Sequence, residues 1–282
     1  MKFTKMHGAG NDFIIINLMD EPLPVSALPA LARRLCTPKL SIGADGLMAV
    51  DHPTTQDADY RMRFYNSDGS EGEMCGNGAR CIARYGYENG LAGEVQRVET
   101  ISGTVIGRRR SQRMYTVRLN DPSVLKPDYP VELDGKVYNC AYVELGVPGL
   151  PHAAVQLDEL DTIDDDTLRV LGRKLRWHSA FPKGANVNFY KCIGPDHILE
   201  HTFERGVEDF TLACGTGSGS VAAALTVKGL VSGKDVRLTM PGGDLYITVT
   251  ADESGVHDIY LTGPTNIVCT GEILDEDLVL TE

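Results

Sequence analysis

The chain has 282 residues, 42% hydrophobic and 23% charged, the proportions of an ordinary globular protein with one large domain or two of common size. Its net charge of −12 argues against nucleic acid or an anionic membrane as the main partner. Seven cysteines are an odd number in a sequence without secretory features, which points to reduced thiols in the cytoplasm rather than a disulfide framework.

Taken in chain order, the first apolar run is FIIINLM, 13–19. It is too short for a membrane span or a signal segment and reads as a strand. PALARRLC, 29–36, has the period of an amphipathic surface helix, and GLMAV and YRMRFYN, at 46–50 and 60–66, are β-rich runs bounded by turn residues. Cys75-Gly-Asn-Gly then precedes a helical stretch, ARCIARYGYENG, 79–90. RRRSQR, 108–113, reads as a solvated hairpin tip, with YTVRL, 115–119, as the returning strand. DPSVLKPDYP, 121–130, holds three prolines and marks a domain crossing. The triple Asp at 164–166 opens a second amphipathic helix as its cap and dipole complement. NVNFY, 186–190, and DLYITVT, 244–250, are further strands. HILEH, 197–201, sets two His four apart, but its Glu is misplaced for a zinc-protease helix and the segment looks like a strand. Cys214-Gly-Thr-Gly precedes SVAAALTVKG, 220–229, a stretch apolar on nearly all sides and so expected to be a buried helix.

The two cysteine corners belong to an internal repeat. Phe64 lies eleven residues before Cys75, and Phe203 lies eleven before Cys214. In that register Tyr65-Asn66 matches Glu204-Arg205. Upstream, Gly-Ala-Asp at 43–45 matches Gly-Ala-Asn at 184–186. The expectation is a duplicated chain of two similar domains.

A cysteine at a helix N-terminus has its thiolate stabilised by the dipole and by backbone N–H groups outside the helical ladder. The same N–H groups cradle an anion, and glycines allow a ligand close to the backbone. Two such corners acting on one substrate would hold a carboxylate and offer a thiol to each face of its α-carbon. One removes the α-proton as thiolate while the other delivers a proton as thiol, inverting the stereocentre. Nucleotide binding does not fit. The third glycine of G-x-G-x-x-G falls on Ser220 in one candidate and on Phe13 in the other, and neither has a P-loop Lys. Cys75 and Cys81 lack a second close pair, so no metal site is expected.

These motifs resemble the diaminopimelate epimerase family, cofactor-independent amino acid epimerases. KMHGAGNDFI (5–14), FYNSDGSEGEMCGNGARC (64–81) and FERGVEDFTLACGTG (203–217) carry the resemblance, which spans nearly the whole chain. It implies an α+β fold of two pseudo-symmetric domains, each a mixed sheet or barrel around a central helix, with the active site in the cleft between them. Boundaries of 1–122, completed by 266–282, and 123–265 follow. Cys75 and Cys214 would be the acid–base pair. Gly76, Asn77, Gly215 and Thr216 would cradle the reacting carboxylate, and Asn11, Asn66, Asn186 and Arg205 would hold the distal one. Glu204 would lie near the substrate ammonium groups and, with His152, adjust thiol protonation. No cofactor and no metal are implied, and the partner is a small amino acid. The oligomeric state stays open, a homodimer among the options.

The chain departs from the family pattern at three places. GVPGLPHAA, 146–154, lacks the Asn of the usual Gly-Asn-Pro-His. Phe210 stands where Glu is usual, and Gly46 where some members carry Gln. The leading expectation is interconversion of LL- and meso-diaminopimelate. Racemisation of another amino acid such as histidine, or non-catalytic amino acid binding, are the alternatives.

Overall fold

A computed structural model describes residues 1–72, 75–274, 276 and 278. Glu73 and Met74 of the first cysteine motif, and much of the tail after 274, lie outside the described residues. In chain order the elements are β1 (Lys2–Gly8), β2 (Asn11–Asn17), α1 (Leu28–Leu35), β3 (Gly46–Asp51), β4 (Tyr60–Asn66), α2 (Gly76–Glu88), β5 (Val95–Thr100), β6 (Gly103–Arg109) and β7 (Met114–Arg118). There follow β8 (Pro122–Lys126), β9 (Val131–Leu133), β10 (Lys136–Tyr138), β11 (Cys140–Leu145), β12 (Leu150–Gln156), α3 (Asp165–Arg176), β13 (Asn186–Gly194) and β14 (His197–Glu204). The chain continues through β15 (Asp209–Thr211), α4 (Gly215–Val227), β16 (Val236–Met240), β17 (Gly243–Asp252), β18 (Gly255–Pro264) and β19 (Asn266–Glu272).

Two compact units emerge, residues 1–117 with 263–282, and residues 118–262. In the first, the ladder runs β19-β1-β2-β3-β4-β5-β6-β7. The β2–β3 and β4–β5 steps are parallel, and the others antiparallel. In the second, the ladder runs β8-β11-β12-β13-β14-β16-β17-β18, with β12–β13 and β14–β16 parallel and the rest antiparallel. Step for step these are the same sheet. Each parallel step needs a crossover, and the crossovers match too: α1 and α3 serve the first parallel step, α2 and α4 the second. The fold is mixed α+β, and the duplication is one of topology as well as sequence.

Each sheet is covered on both faces, which explains the uninterrupted apolar run of β2. Phe13 and Ile15 pack with Ile82 and Tyr85 of α2, while Ile14 and Ile16 pack with Leu28 and Leu31 of α1. In the second unit Val187, Phe189 and Phe203 face Leu168 and Leu175 of α3. α4 is buried from Val221 to Leu225, as its all-round apolar sequence requires. α2 is buried as deeply although it carries Arg80 and Arg84, so its burial is not visible in its composition. Arg84 Nη1 donates to the Thr265 carbonyl at 2.9 Å, which ties the C-terminal segment into the first unit. Asp164 caps α3 by accepting from Thr167 N at 2.9 Å, and RRRSQR does lie at the β6–β7 turn.

The register of the repeat needs one correction. Phe64 belongs to the face packed on α2, whereas Phe203 belongs to the face packed on α3, the counterpart of α1. Tyr65, packed against α1, is therefore the match of Phe203. Asn66 and Glu204, each the last residue of its strand, are equivalent, rather than Asn66 and Arg205. A slip of one residue exchanges the faces of every side chain, and the loop before each cysteine absorbs the difference.

Gly86 of α2 sits where an added Cβ would lie 2.5 Å from the Tyr60 hydroxyl and 2.7 Å from Gln96 Oε1. These two side chains are themselves bonded at 2.6 Å. Gly86→Ala gains about 1 kcal/mol of helix propensity but overpacks this contact, at about 1–3 kcal/mol, and breaks the buried hydrogen bond. The expected net loss is about 2 kcal/mol in urea unfolding, whereas Gly93→Ala, with nothing within 4 Å, leaves the midpoint in place.

Candidate active site

In the first unit Cys75 is the N-cap of α2, in an extended conformation (φ −117°, ψ 119°). The turn 8–11 of the β1–β2 hairpin brings Asn11 to it, and the Cys75 thiol donates to Asn11 Oδ1 at 3.2 Å. Asn11 is held in that orientation because its Nδ2 donates to Asp45 Oδ2 at 2.6 Å. Asp45 also accepts from Asp12 N at 3.0 Å. Gly8 permits the close approach of β1, since a Cβ there would lie 2.9 Å from the Asn77 carbonyl. Asn66 ends β4 in a turn, its Nδ2 donating to Ser70 Oγ at 3.0 Å.

Beneath this corner lies a fully buried cation. Arg80 donates from Nη2 to Asn77 Oδ1 at 2.9 Å and from Nη1 to the Gly76 carbonyl at 3.3 Å. Burial lowers its pKa to about 10, opposed by the sulfurs of Cys81 and Cys75. Asn77 thus spends its side-chain oxygen inward, on Arg80. Cys81, one turn into the helix, has its thiol pushed up to about 12 by burial, which separates it chemically from a reactive position.

In the second unit Cys214 is the N-cap of α4 with nearly the same backbone (φ −121°, ψ 104°). Both helices are 13 residues long and both begin at the glycine after the cysteine. Burial drives the Cys214 thiol well above its ordinary value. The Glu204 carboxylate pushes the same way, while the Thr216 hydroxyl and the Gly217 N–H pull back. The expected stabilisation of a thiolate by the helix end is therefore outweighed at this corner, which rests as the thiol. Thr216 Oγ1 lies 3.6 Å from the sulfur.

Around Cys214 the strands supply the remaining expected residues. Asn186 Oδ1 accepts from Arg205 N at 2.7 Å, and its Nδ2 donates to the Pro151 carbonyl at 3.3 Å. Asn186 thereby sets the backbone from which Arg205 projects. His152, in register with Asn186, is fully buried. Burial, with the Arg205 charge second, lowers its pKa to about 3, so it is neutral. Its Nε2 has no hydrogen-bond partner among the described residues.

Several residues here escaped sequence reasoning. Asn188 Nδ2 lies 3.3 Å from His152 Nδ1, and its Oδ1 accepts from Thr202 Oγ1 at 3.0 Å. A side chain at Gly217 would collide with that same oxygen. Glu200 and Ser218 are buried behind Cys214. The signal was present in the strand period: Ile198, Glu200, Thr202 and Glu204 alternate onto the α4 face. Among the described residues no group of three or more His, Cys, Asp or Glu is placed to hold a metal, and no helix is long and apolar enough to cross a membrane.

The family departures also find places. At Gly46 a Cβ would lie 2.5 Å from the Phe64 ring and 2.8 Å from the Tyr65 carbonyl, so no longer side chain fits. Phe210 packs edge-on against Phe203, ring centroids 5.5 Å apart, on the α3 side of the sheet. The 146–149 turn of the β11–β12 hairpin contains a cis Val147–Pro148 bond and an outward-pointing Val147.

The family model described as diaminopimelate epimerase matches residues 3–118 and 147–268. A protein of Aquifex aeolicus (strain VF5) named diaminopimelate epimerase is 36% identical, covering 99% of both chains. One of that name from Archaeoglobus fulgidus is 40% identical over 95% of each. Among solved structures, a phenazine biosynthesis protein of the PhzF family from Bacillus anthracis superposes with a TM-score of 0.73 at 16% identity, covering 97% of this chain and 99% of its own. A hydroxyproline epimerase from Agrobacterium vitis, with bound trans-4-hydroxy-L-proline, gives 0.67 at 15% identity, over 97% and 90%. These two share the fold. The chain belongs to the diaminopimelate epimerase family.

The buried neutral histidine makes stability depend on pH. With a folded pKa of about 3 against about 6.5 unfolded, the unfolded chain binds the extra proton between those values. Stability is complete above pH 6.5 and falls as pH drops through the window. Urea unfolding of wild type and His152→Asn at pH 7 and 5 should show their difference shifting by about 2 kcal/mol against wild type at the lower pH.

Proposed function

We propose that this isomerase interconverts LL- and meso-2,6-diaminopimelate without a cofactor, Cys75 and Cys214 acting as the paired acid and base. The observation that carries the reading is the matched pair of corners. Two topologically equivalent helices of 13 residues, each capped by a cysteine in the same extended conformation, each begin with buried glycines. Relatives of 36% and 40% identity over nearly the whole chain, named diaminopimelate epimerase, support the substrate.

In this reading the reacting carboxylate is bound by N–H groups of Gly76 and Asn77 and of Gly215 and Thr216, which lie outside the helical ladders. Their partial positive charge stabilises the enolate-like state that develops when the α-proton leaves. One cysteine, as thiolate, takes that proton. The other, as thiol, gives its own to the opposite face of the same carbon. The α-C–H bond is broken and remade with inversion, and the two sulfurs end with their protonation exchanged. The reaction demands that both sulfurs stand beside one α-carbon. Asn11, Asn66, Asn186 and Arg205 hold the distal carboxylate, Arg205 by its planar fork. Glu204 faces the ammonium groups. His152, neutral and held by Asn188, shapes the polarity around Cys214 without carrying charge. The two compact units serve as the two catalytic halves.

Incubation with LL-diaminopimelate in D₂O should incorporate deuterium at the α-carbon during conversion to the meso form, read by NMR. Cys75→Ala and Cys214→Ala should each reduce that exchange by at least about 10²–10⁴-fold with unchanged circular dichroism, and normal exchange in either variant overturns the two-base reading. Exchange into L-histidine but not into diaminopimelate would overturn the substrate and leave the chemistry standing.

Arg205→Ala should lower kcat/KM for diaminopimelate by about 30-fold or more, the weight of a charge-assisted bidentate contact of about 2 kcal/mol. Arg205→Lys should recover only part of it, because an ammonium cannot reproduce the fork.

A further inference from the structure

Glu200 is completely buried, and no charged group pairs with it in an ion pair among the described residues. Its Oε2 lies 2.7 Å from Ser218 Oγ. Ser218 Oγ lies in turn 3.0 Å from the Cys214 carbonyl and 3.5 Å from Met240 Sδ. Glu200 Oε1 has no hydrogen-bond partner among the described residues. A buried carboxyl with one satisfied oxygen is costly unless it serves a purpose. This one is linked by a single hydroxyl to the residue that caps α4.

The hydroxyl of Ser218 has one proton and, besides the Met240 sulfur, two oxygen acceptors within reach. When Glu200 is a neutral acid, it can donate to Ser218 Oγ while Ser218 donates to the Cys214 carbonyl, a continuous chain into the helix start. When Glu200 ionises, Ser218 must turn its proton to the carboxylate, and only the Ser218 N–H, at 2.9 Å, still holds that carbonyl. A negative charge is then left behind the Cys214 sulfur. We propose that Glu200 is a positioning residue for Cys214, holding the first turn of α4 through Ser218 when neutral and disfavouring the Cys214 thiolate when ionised. The proposal rests on reading Cys214 as an acid–base thiol, but it concerns the titration of that sulfur and not turnover of any substrate.

The surroundings isolate this pair. Burial raises the Glu200 carboxyl to about 8, with the Ser218 and Thr202 hydroxyls pulling back. On the α4 face, β13 offers Tyr190 directly across the ladder, its phenol raised by burial and neutral through this range. β14 itself carries Thr202 and Glu204 on that face, and the Glu204 carboxylate raises the Cys214 thiol. β16 presents Met240, while Arg237 and Thr239 alternate to the other face. β15 meets the strand at Thr202, and α3 packs on the opposite side of the sheet. α4 contributes Cys214 and Ser218. Glu200 is thus the completely buried carboxyl on this face, joined to the cysteine cap through Ser218.

The test is a ¹³C NMR titration of the full chain labelled at cysteine Cβ, with the Cys214 resonance assigned from Cys214→Ser. In wild type the Cys214 signal should shift in a step near pH 8, before the thiol itself titrates. In Glu200→Gln, which keeps the shape and hydrogen-bonding capacity but never ionises, that step should vanish and the thiol should titrate at lower pH, with about tenfold more thiolate at pH 9.5. In Ser218→Ala the step should persist but move to higher pH, because the charged carboxylate loses a donor. Superimposable Cys214 titrations in wild type and Glu200→Gln, or a step unmoved in Ser218→Ala, overturn the proposal. Loss of diaminopimelate exchange with the predicted titrations intact would instead count against the substrate reading alone.

Discussion

The structure is organised around one constraint: a helix N-terminus buried inside a sheet leaves backbone N–H groups that neither the helix nor bulk water can satisfy. A surface helix solves this with a side-chain cap, as Asp164 does for α3 at 2.9 Å. α2 and α4 begin instead with cysteine, whose sulfur is a weaker acceptor than the Asp164 carboxylate. Glycines fill the first turn where neighbours press close, Asn188 against Gly217 and Met48 against Gly78. In the proposed reaction such an end receives the substrate carboxylate. Both sheets bury these helices from the first turn onward, and both do so with the same ladder order.

Much of this was legible in the sequence, for identifiable reasons. The buried α4 announced itself because nothing polar interrupts 221–225, and the surface helices because their polar faces repeat at 3.6 residues. The two corners were visible because cysteine followed by Gly-x-Gly has few structural uses. What remained hidden depended on which face a residue takes. The register of the repeat was one residue off at β4 and β14, because matching residue letters, Phe64 with Phe203, carries no information about pleat. α2 concealed its depth behind Arg80 and Arg84, charges that a sequence alone assigns to water. Asn188 and Glu200 looked like ordinary strand residues because their partners, His152 and Ser218, are far away in the chain.

The duplication copied a backbone, and the two copies have since been given opposite electrostatics. Under Cys75 sits Arg80, buried with two oxygen acceptors and no carboxylate partner among the described residues, so its positive charge is left to act on the sulfurs of Cys81 and Cys75. Under Cys214 sits Glu200, and beside it Glu204, both of which act to keep that sulfur protonated. A two-base inversion needs its thiols in unlike protonation states at the start of every turnover. Two identical corners would supply that state only by chance, half as two thiols or two thiolates. In the proposed reaction the buried cation behind one helix and the carboxyls behind the other bias the two sulfurs in opposite directions, the more so once Glu200 ionises.

The histidine of the second unit, by contrast, carries no charge. A charged imidazole there would be a second buried cation close to Arg205. Instead His152 is buried completely, its Nδ1 faces the Asn188 amide at 3.3 Å, and Arg205 opposes its protonation. Arg205 can do this because Asn186 fixes its backbone at 2.7 Å, so in the proposed reaction the residue assigned to the distal carboxylate also helps keep His152 neutral. On the proposed reading, substrate binding and the charge state of His152 are coupled through two asparagines in alternate positions of one strand, a placement that a sheet with a buried helix-facing side provides.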